Sequence, residues 1–448
     1  MLTIPARQSG SRPYAFGYDG ERLVNYSLRP SNAMSEAVLI GRSGLKEVVE
    51  FGAPVLALDS VGDTIYAVAN ERLWKVRRNI RYDLGALNNA SSASLARSDN
   101  EVAVVMGGAY FVWNKNNGSM QSVDTGDVEI PRSVAYQDGY FIVAGEGQGR
   151  KDIITVSALD DGTTFTGLNF NTASYSSDKI VSVISDHGEL WLHGTDTTEI
   201  FYNGGGSGFP FVRVNGAAIE TGCQNGATVA KADNSVFWVG HNNVAYRSSG
   251  STPAVISTRE IEERIKTDGA KGGFVYLDRG HYFYCIVTNG QTLAFDLTTN
   301  LWSERTTGLK DGAWVATCSA LADGKQYLGT STGYLCLVDE ETYSDMGDYI
   351  AAEMVSAPVV RGVNPFSIAR IATFFRTGTE PEGASVMLQT TKDGRHWGLE
   401  KWKTAKARGN YNGAVEWRAL GQYTRFQFKI RVTDPLPRDV LGMTIEPS

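Results

Sequence analysis

A polar turn followed by a run of aromatic or β-branched residues recurs seven times along the chain. Gly62–Val68 and Gly139–Val143 are two copies. A turn residue before a short apolar run of this kind predicts a β-strand. Successive turns are 38, 39, 49, 46, 46 and 44 residues apart, a spacing typical of propeller blades. The turns begin at Gly62, Asn100, Gly139, Gly188, Asn234, Gly280 and Gly324.

This repeat predicts a β-propeller of about seven blades over residues 1–345. Each blade is a small sheet that buries its faces only against its neighbours, so several copies are needed to form a core. Helical patterns are nearly absent. The exception is a capping box at Ser257-Thr258-Arg259-Glu260, which predicts a short helix over Ile261–Lys266 that ends at Gly269.

The pattern changes after Leu337-Val338, and the polar stretch from Asp339 to Asp348 predicts a linker. We expect a second domain, a β-sandwich, over residues 346–448, which makes the whole chain all-β. Turns are predicted at Asp393-Gly394 and Asn412-Gly413. Strands are predicted at Ile368–Phe375, Ser385–Thr390, Ala414–Leu420 and Phe426–Val432.

Composition supports this fold class and limits the partners. The 448 residues include 49 Gly, 20 Tyr, 18 Phe and 9 Trp, which favours aromatic strands joined by glycine turns. The net charge is −7, which disfavours tight binding to phosphates. Residues 1–345 carry −11 and residues 346–448 carry +4. Such opposite fields can decide which end meets which partner, although a solvated mixed surface is the alternative interpretation.

The sequence predicts no catalytic, cofactor-binding or metal-ligating residues. The five histidines are scattered, and only His187 and His193, with Glu189 between them, suggest a metal site. Polar residues at the ends of a strand explain them better. A catalytic triad leaves no pattern in the spacing, because its members meet only in space.

Two glycine-rich segments were tested as nucleotide loops. A β-branched strand follows Gly145–Lys151, so no helix N-terminus is available for a phosphate and a flexible hairpin is predicted. Gly204–Pro210 lacks the lysine and the helix of a P-loop and is interpreted as a long protruding connection. Such loops suit contacts between subunits.

Two segments, Asp160–Phe165 and Thr390–Trp397, approach the Asp-box hairpin of sialidase-type propellers. Ala158, Lys392 and His396 depart from the pattern, and we interpret both segments as turns. A glycan-binding or glycan-cleaving, sialidase-like propeller is the alternative function, and it would require an arginine cluster and a Tyr/Glu nucleophile pair.

The remaining features are two basic stretches, the cysteines and the N-terminal segment. The basic, aromatic stretch Trp74–Arg81 is interpreted as a half-buried strand, whereas Lys401–Arg408 is the better candidate for contacting a partner. The four widely spaced cysteines are expected to be buried free thiols. Met1–Gly10 lacks the apolar run of a secretory signal, and no segment reaches about 18 uncharged apolar residues, so folding in a cytoplasm without membrane insertion is expected.

From Ser176 to Lys266 the chain resembles the packaged-DNA stabilisation proteins of short-tailed phages, the tail-hub or tail accessory factors. Weaker similarity continues through Thr292–Asp296, Trp302–Arg305 and Trp417–Gly421, while the N-terminal third departs most, around Leu23 and Ser27–Pro30. The segments that carry the resemblance are Ser157–Gly162, Gly188–Gly194, Thr198–Asn203, Phe209–Phe211, Gly216–Cys223, Val236–Gly240 and Ile256–Glu262.

The resemblance implies a non-enzymatic structural protein of the virion tail. It implies a homo-oligomeric ring, a homohexamer, that lies beneath the portal and head–tail adaptor and extends the DNA channel. Such a ring would help to retain packaged DNA, dock tail fibre, tailspike or needle proteins, and touch phage DNA only in passing during genome ejection. No catalytic residues and no cofactor come with it. A generic propeller scaffold for protein partners is the third class that we considered.

Overall fold

A computed structural model of the protein describes residues 20–30, 37–173, 178–206, 208–362, 364–376, 383–405 and 414–447. Within these ranges the backbone forms 41 strands, one α-helix and one short 3₁₀ helix, as the all-β prediction requires. No helix in the described ranges is long and apolar enough to cross a membrane.

Four N-terminal strands precede the blades, and seven four-stranded units follow in the order of the predicted repeat. The N-terminal strands are β1 (Arg22–Val24), β2 (Tyr26–Pro30), β3 (Ala37–Gly41) and β4 (Gly44–Glu50). The first three blades are β5 (Val55–Val61), β6 (Thr64–Ala69), β7 (Arg72–Arg77) and β8 (Ile80–Ala86); β9 (Ala93–Arg97), β10 (Glu101–Met106), β11 (Ala109–Asn114) and β12 (Met120–Val123); and β13 (Ile130–Gln137), β14 (Tyr140–Gly147), β15 (Arg150–Ala158) and β16 (Asp161–Thr172).

The remaining blades keep the same internal order. Blades four and five are β17 (Ile180–Asp186), β18 (Glu189–Gly194), β19 (Thr198–Asn203) and β20 (Phe211–Arg213); and β21 (Ala230–Ala232), β22 (Ser235–Val239), β23 (Ala245–Ser249) and β24 (Thr252–Val255). Blade six is β25 (Ala270–Asp278), β26 (His281–Thr288), β27 (Thr292–Asp296) and β28 (Leu301–Arg305), and blade seven is β29 (Ala316–Ala322), β30 (Lys325–Thr330) and β31 (Tyr334–Asp339), completed by β4.

The predicted turns all lie between the first and second strands of a blade. In blade three Gln137 pairs with Tyr140, and the two residues between them, Asp138 and Gly139, have φ of 52° and 88°. Two residues with positive φ form the type I′ turn whose twist matches the flanking strands, and Asp-Gly is well suited to it. Asp323-Gly324 makes the equivalent turn in blade seven. Local turn chemistry therefore sets the seven-fold repeat.

The innermost strands of the blades contact one another in a ring, with the 3₁₀ helix Gly226–Thr228 and β21 filling this place in blade five. The ring is closed by the N-terminal segment, because β4 pairs antiparallel with β31, with Lys46 opposite Leu337. The first and last parts of the propeller are thereby joined in one sheet.

The single helix, α1 (Arg259–Asp268), confirms the predicted helix, and Gly269 ends it with φ of 71°. The predicted capping box is wrong. Thr258 is the N-cap residue and makes no side-chain cap hydrogen bond. The Ser257 hydroxyl instead donates to the Glu262 carboxylate over 2.9 Å and accepts from the backbone N–H of Ala245.

The C-terminal strands form two sheets over one core, and the four predicted strands match β36, β37, β39 and β40. The predicted turn at Asn412-Gly413 lies outside the described residues, and the division of the chain at residue 345 stays a prediction. Strands β32 (Ser344–Asp345) and β33 (Asp348–Tyr349) extend the sheet of blade seven. The strands of the sandwich are β34 (Ala352–Val355), β35 (Val359–Val360), β36 (Phe366–Phe375), β37 (Ser385–Thr391), β38 (Lys401–Thr404), β39 (Ala414–Tyr423), β40 (Arg425–Val432) and β41 (Val440–Pro447).

The N-terminal strands enter this C-terminal unit. One sheet has the order β2-β3-β41-β36-β39, and the other runs from blade six through β1 to β34, β40, β37 and β38. Leu23 and Tyr26 share a core with Trp417, Phe426 and residues around them. The sandwich is therefore built from both ends of the chain.

Candidate functional site: the propeller–sandwich junction and the central cavity

Strand β1 joins the propeller to the sandwich. On one side Val24 pairs parallel with Glu304 of blade six, and on the other Leu23 pairs antiparallel with Met354 of β34. Backbone hydrogen bonds thus run without a break from the sixth blade into the sandwich. A continuous sheet resists rotation of one unit against the other, because rotation would break its ladder.

A buried ion pair lies beside this strand. The Arg42 and Asp345 side chains are 1% and 0% exposed, and they form two parallel hydrogen bonds, Nη1 to Oδ1 at 2.8 Å and Nη2 to Oδ2 at 2.5 Å. The other three N–H groups of Arg42 donate to Asn25 Oδ1 and to the carbonyl oxygens of Ser43 and Thr306. All five donors are used, which is the condition for burying a guanidinium group.

The carboxylate is equally well satisfied. Asp345 Oδ2 also accepts hydrogen bonds from the Thr307 hydroxyl at 2.6 Å and from Trp314 Nε1 at 3.2 Å. The Arg42 guanidinium lies 4.8 Å from the centre of the Trp314 ring. Three distant segments of the chain therefore meet at one pair of charges.

A second arginine, Arg438, is buried at the same junction. Its Nη1 and Nη2 donate to the carbonyl oxygens of Ile350 and Tyr343, at 2.8 and 3.0 Å. Burial, with the nearby charge of Arg42, lowers the pKa of Arg438 to about 10. The Tyr26 hydroxyl donates to the Arg438 carbonyl oxygen, which ties β2 to the same cluster.

Arg22 on β1 forms the outer edge of the junction. It makes a bidentate pair with Glu304, at 2.9 and 2.7 Å, and reaches Glu353 of β34 at 3.2 Å. Burial opposes its charge, but the hydrogen bond and the negative charge of Glu304 raise its pKa. The arrangement links blade six to the sandwich through charged side chains. It holds the two modules in a fixed relation.

The inner strands of all seven blades line a central cavity of about 1270 Å³. Arg132 is the arginine among its described lining residues, and both it and Lys179 bind the Glu146 carboxylate at 2.9 Å. These hydrogen bonds lower the pKa of Glu146, and the one from Lys179 contributes most. The arginine cluster that a sialidase-like site would need is not assembled among the described residues of this cavity.

The comparisons with known families cover most of the chain. Residues 22–343 match the family described as Bacteriophage P22 Gp10, beta-propeller, and residues 356–447 match the one described as Bacteriophage P22 Gp10, beta-sandwich. The chain belongs to the bacteriophage P22 Gp10 family. Membership makes it a structural protein of a phage tail, a component of the virion that takes part in stabilising packaged DNA. This confirms the resemblance found in the sequence.

Three solved structures are similar to this P22 Gp10 family member at low sequence identity. The WD40 domain of Neurospora crassa Pan2 is 7% identical with a TM-score of 0.45, covering 66% of this chain and 96% of that one. The computationally designed Ika8 protein is 12% identical with a TM-score of 0.44, covering 66% and 99%. PorZ of Porphyromonas gingivalis is 12% identical with a TM-score of 0.41, covering 80% and 46%. No curated protein matches the chain.

His187 and His193, the two histidines that the sequence suggested as metal ligands, lie in different environments. His187 is exposed and pairs with Asp186 at 3.0 Å, which raises its pKa. His193 is fully buried between Trp191 and Trp238, and burial lowers its pKa to about 3. Among the described residues no group of three or more His, Cys, Asp or Glu side chains is placed to hold a metal ion.

Both Asp-box-like segments form turns, as we interpreted them. Asp161 accepts hydrogen bonds from the backbone N–H and the hydroxyl of Thr163, at 2.9 and 2.6 Å, and these lower its pKa. Asp393 accepts from the backbone N–H groups of Arg395 and His396, both at 2.8 Å, and contacts the His396 ring. These hydrogen bonds lower the pKa of Asp393, and the one with the His396 side chain contributes most.

The glycine-rich segments are connections within blades. Gln148 and Gly149, with φ of 50° and 74°, form the turn between β14 and β15, which confirms the predicted hairpin. Gly204–Pro210 joins β19 to β20, and its ends are held by a 2.9 Å hydrogen bond from Gly204 N to Pro210 O. Residue 207 lies outside the described part of this loop.

The two basic, aromatic stretches differ. Trp74–Arg81 is not one half-buried strand as interpreted, because a turn at Arg78-Asn79, with φ of 50° and 62°, separates β7 from β8. Trp74 is half-buried, packs 5.8 Å from Phe51 and is covered by the Arg81 guanidinium at 5.1 Å. By contrast, Lys401–Thr404 of the other stretch form strand β38, in which all four side chains are exposed, while Ala405 after the strand is buried. The cysteines Cys223, Cys285 and Cys336 are buried free thiols as predicted, and Cys318 is half-buried.

Sequence reasoning missed the residues that build the junction. Arg42 and Asp345 are 303 positions apart, and neither belongs to a recognisable motif. Asp345 lies in Asp339–Asp348, the segment predicted to be a linker, and the structure buries its side chain completely. Only the fold brings these residues together.

Proposed function

We propose that this protein is the hub of a phage tail, a homo-oligomeric ring attached beneath the portal and adaptor. In this role it extends the DNA channel, helps to retain the packaged genome and offers a docking surface for distal tail proteins. It acts by shape and contact rather than by catalysis. The observation that carries the proposal is that the family match spans both modules in order, over residues 22–343 and 356–447.

The junction supports a mechanical role. A tail component beneath pressurised DNA must not flex between its modules, and the fully satisfied Arg42–Asp345 pair and the shared sheet through β1 hold them together. A buried charge pair of this kind favours one arrangement, because any alternative packing would leave a charge unpaired.

Co-assembly with cognate rings tests the proposal. Purified protein is mixed with portal–adaptor complexes from the same phage and separated on a density gradient. We expect stoichiometric co-migration and a ring of added density beneath the adaptor in electron micrographs. Failure to co-migrate under conditions in which the adaptor itself binds the portal would contradict the hub assignment.

A further inference from the structure

The four N-terminal strands, β1 to β4, pair with strands that come much later in the chain. We call these four strands the N-terminal strap. β1 pairs with β28 and β34, β3 pairs with β41, and β4 pairs with β31 and β32, while β2 pairs with β3 inside the strap. The partners of the strap therefore belong to blade six, blade seven and the sandwich.

Both modules bury apolar side chains of the strap. Leu23, Tyr26 and Leu39 belong to the core of the sandwich. Leu45 belongs to a core between blades six and seven, and Val49 belongs to a core between blades seven and one. Until the strap is in place, both modules expose apolar surface that the complete fold removes from water.

The middle of the strap is held by the start of the last strand. Asp439, directly before β41, accepts a hydrogen bond from the backbone N–H of Gly41 over 2.9 Å, across 398 positions of the chain. The Tyr26 hydroxyl donates to the carbonyl oxygen of Arg438, across 412 positions. A Cβ on Gly41 would lie 2.5 Å from Cγ of Arg438, so the strap backbone passes directly against this side chain.

The same part of the strap is also bound to the propeller. Arg42 forms the buried ion pair with Asp345. Ser43 binds the Asp278 carboxylate of blade six through its backbone N–H and its hydroxyl, at 3.1 and 2.6 Å. Consecutive residues from Gly41 to Ser43 thus contact the last strand on one side and blades six and seven on the other. Loosening the contact at Gly41 should therefore affect β4, which begins directly after Ser43.

The order of synthesis separates the strap from its partners in time. The N-terminal strap leaves the ribosome first, and β41 leaves it last. The blades can form from local hairpins, whereas pairing between distant segments has to overcome the entropy of loop closure and needs both segments to exist. The strap therefore waits for its partners while the blades are made.

We infer that the N-terminal strap opens and closes as one unit, so that β4 stays paired with blade seven only once the last strand, β41, is in place. A chain that stops before β41 then keeps an open propeller and does not offer a finished subunit for assembly. The inference goes beyond the proposed function, and it does not depend on which partners the complete subunit meets.

Hydrogen–deuterium exchange of full-length variants tests the coupling between the two ends of the chain. Asp439→Ala removes the acceptor of the Gly41 N–H. If the strap opens as one unit, the amides of β4 and β31 should exchange about tenfold faster or more, because a hydrogen bond to a charged acceptor contributes at least that factor to local stability. The amides of β18 in blade four are the internal reference and should exchange as in the wild type.

Two further variants identify the contact that carries the effect. Asp434→Ala is the matched control, because the Asp434 carboxylate accepts from the backbone N–H of Ser385 at 2.6 Å and so holds β37 rather than the strap. Its β4 and β31 amides should exchange as in the wild type. Asp439→Asn keeps an acceptor for Gly41 but removes the charge that faces Arg279 at 3.4 Å, and it should have a smaller effect than Asp439→Ala.

Three results overturn the inference. In the first, Asp439→Ala leaves the exchange of β4 and β31 at the wild-type rate, which shows that β4 opens independently of the rest of the strap. In the second, Asp434→Ala accelerates these strands as much as Asp439→Ala does. In the third, Asp439→Asn equals Asp439→Ala, which assigns the effect to the ion pair with Arg279.

Trypsin treatment during cell-free synthesis of the wild-type chain tests the order of closure. Cleavage at Lys46, an exposed residue of β4, is followed with a label at the N-terminus. We expect cleavage in nascent chains that have completed β31 but not β41, and resistance in full-length chains, because a paired strand is a poor protease substrate. Resistance at Lys46 before β41 has been made would contradict the inference.

Discussion

Replacing Asp345 with Asn should destabilise the junction severely. The change keeps the shape of the side chain but removes its charge, and it leaves the guanidinium of Arg42, which is 1% exposed, without a counter-charge. The amide retains at most one carbonyl oxygen where the carboxylate accepts four side-chain hydrogen bonds, two from Arg42 and one each from Thr307 and Trp314.

The magnitude follows from the burial of the pair. Breaking a buried ion pair by removing one partner costs about 3–5 kcal/mol, because the remaining charge has no solvent. We therefore expect Asp345→Asn to lower the free energy of unfolding by about that amount. Chemical denaturation followed by tryptophan fluorescence measures it, and Trp314, in contact with both charges, reports on the junction directly.

Two further variants make the result interpretable. Removing both charges together, with Arg42→Met and Asp345→Leu, should recover most of the lost stability, because no unpaired charge remains. Asp83→Asn breaks the exposed pair with Arg72 and should leave the denaturation midpoint unchanged. If Asp345→Asn and Asp83→Asn behave alike, the Arg42–Asp345 pair does not hold the junction and the reasoning is refuted.

Three other predictions concern single sites. Because burial lowers the pKa of His193 to about 3, the folded protein keeps it neutral while the unfolded chain takes up a proton below about 6.5. The free energy of unfolding should therefore fall as pH decreases from about 6.5 towards 3, by about 1.4 kcal/mol per pH unit from this group. Denaturation curves at several pH values give the slope of this free energy against pH. The slope should be smaller in His193→Phe, and an unchanged slope would contradict the prediction. Gly324→Ala should destabilise the protein by about 1–2 kcal/mol, because Gly324 has φ of 68° with open space around it. Gly312→Ala, also in open space but at an ordinary φ, should be close to neutral. Equal denaturation midpoints for the two variants would show that an alanine in the turn is not strained. Burial raises the pKa of the Cys223 thiol to about 11 and that of Cys285 to about 12, so modification of these thiols by a disulfide reagent should be no faster than unfolding, and rapid modification of the native protein would show that they are accessible.

The blades could be predicted because their information is local. Six of the seven turns between a first and a second strand contain residues with positive φ, as at Asp138-Gly139, and the apolar run follows at once. The strands of the sandwich were predicted for the same reason, and Phe426–Val432 lies wholly within β40. Turn chemistry and strand periodicity are properties of a few adjacent residues.

The use of the N-terminal strands could not be predicted in this way. Leu23 pairs with Met354 and Lys46 pairs with Leu337, and nothing in the neighbourhood of Leu23 or Lys46 indicates which distant strand they meet. The helix start was misjudged for a related reason. The Ser257 hydroxyl was expected to cap the helix. In the fold it donates to the Glu262 carboxylate and accepts from the backbone N–H of Ala245 instead.

Sequence reasoning identified one part of the candidate site and missed the other. The exposed stretch at Lys401 was identified from its basic and aromatic residues, because that pattern is local. The junction at Arg42 was not, because a single arginine in the connection between two strands is usually solvated. Its burial depends on Asp345 and Trp314, which reach it only when the propeller has closed.

Electron microscopy of tails released from disrupted virions, labelled with antibody against residues 346–448, tests the central claim most directly. The account predicts label in particles, arranged around the tail axis beneath the portal. Label absent from particles, with the protein found only in lysates of infected cells, would contradict the assignment of this chain to the tail hub.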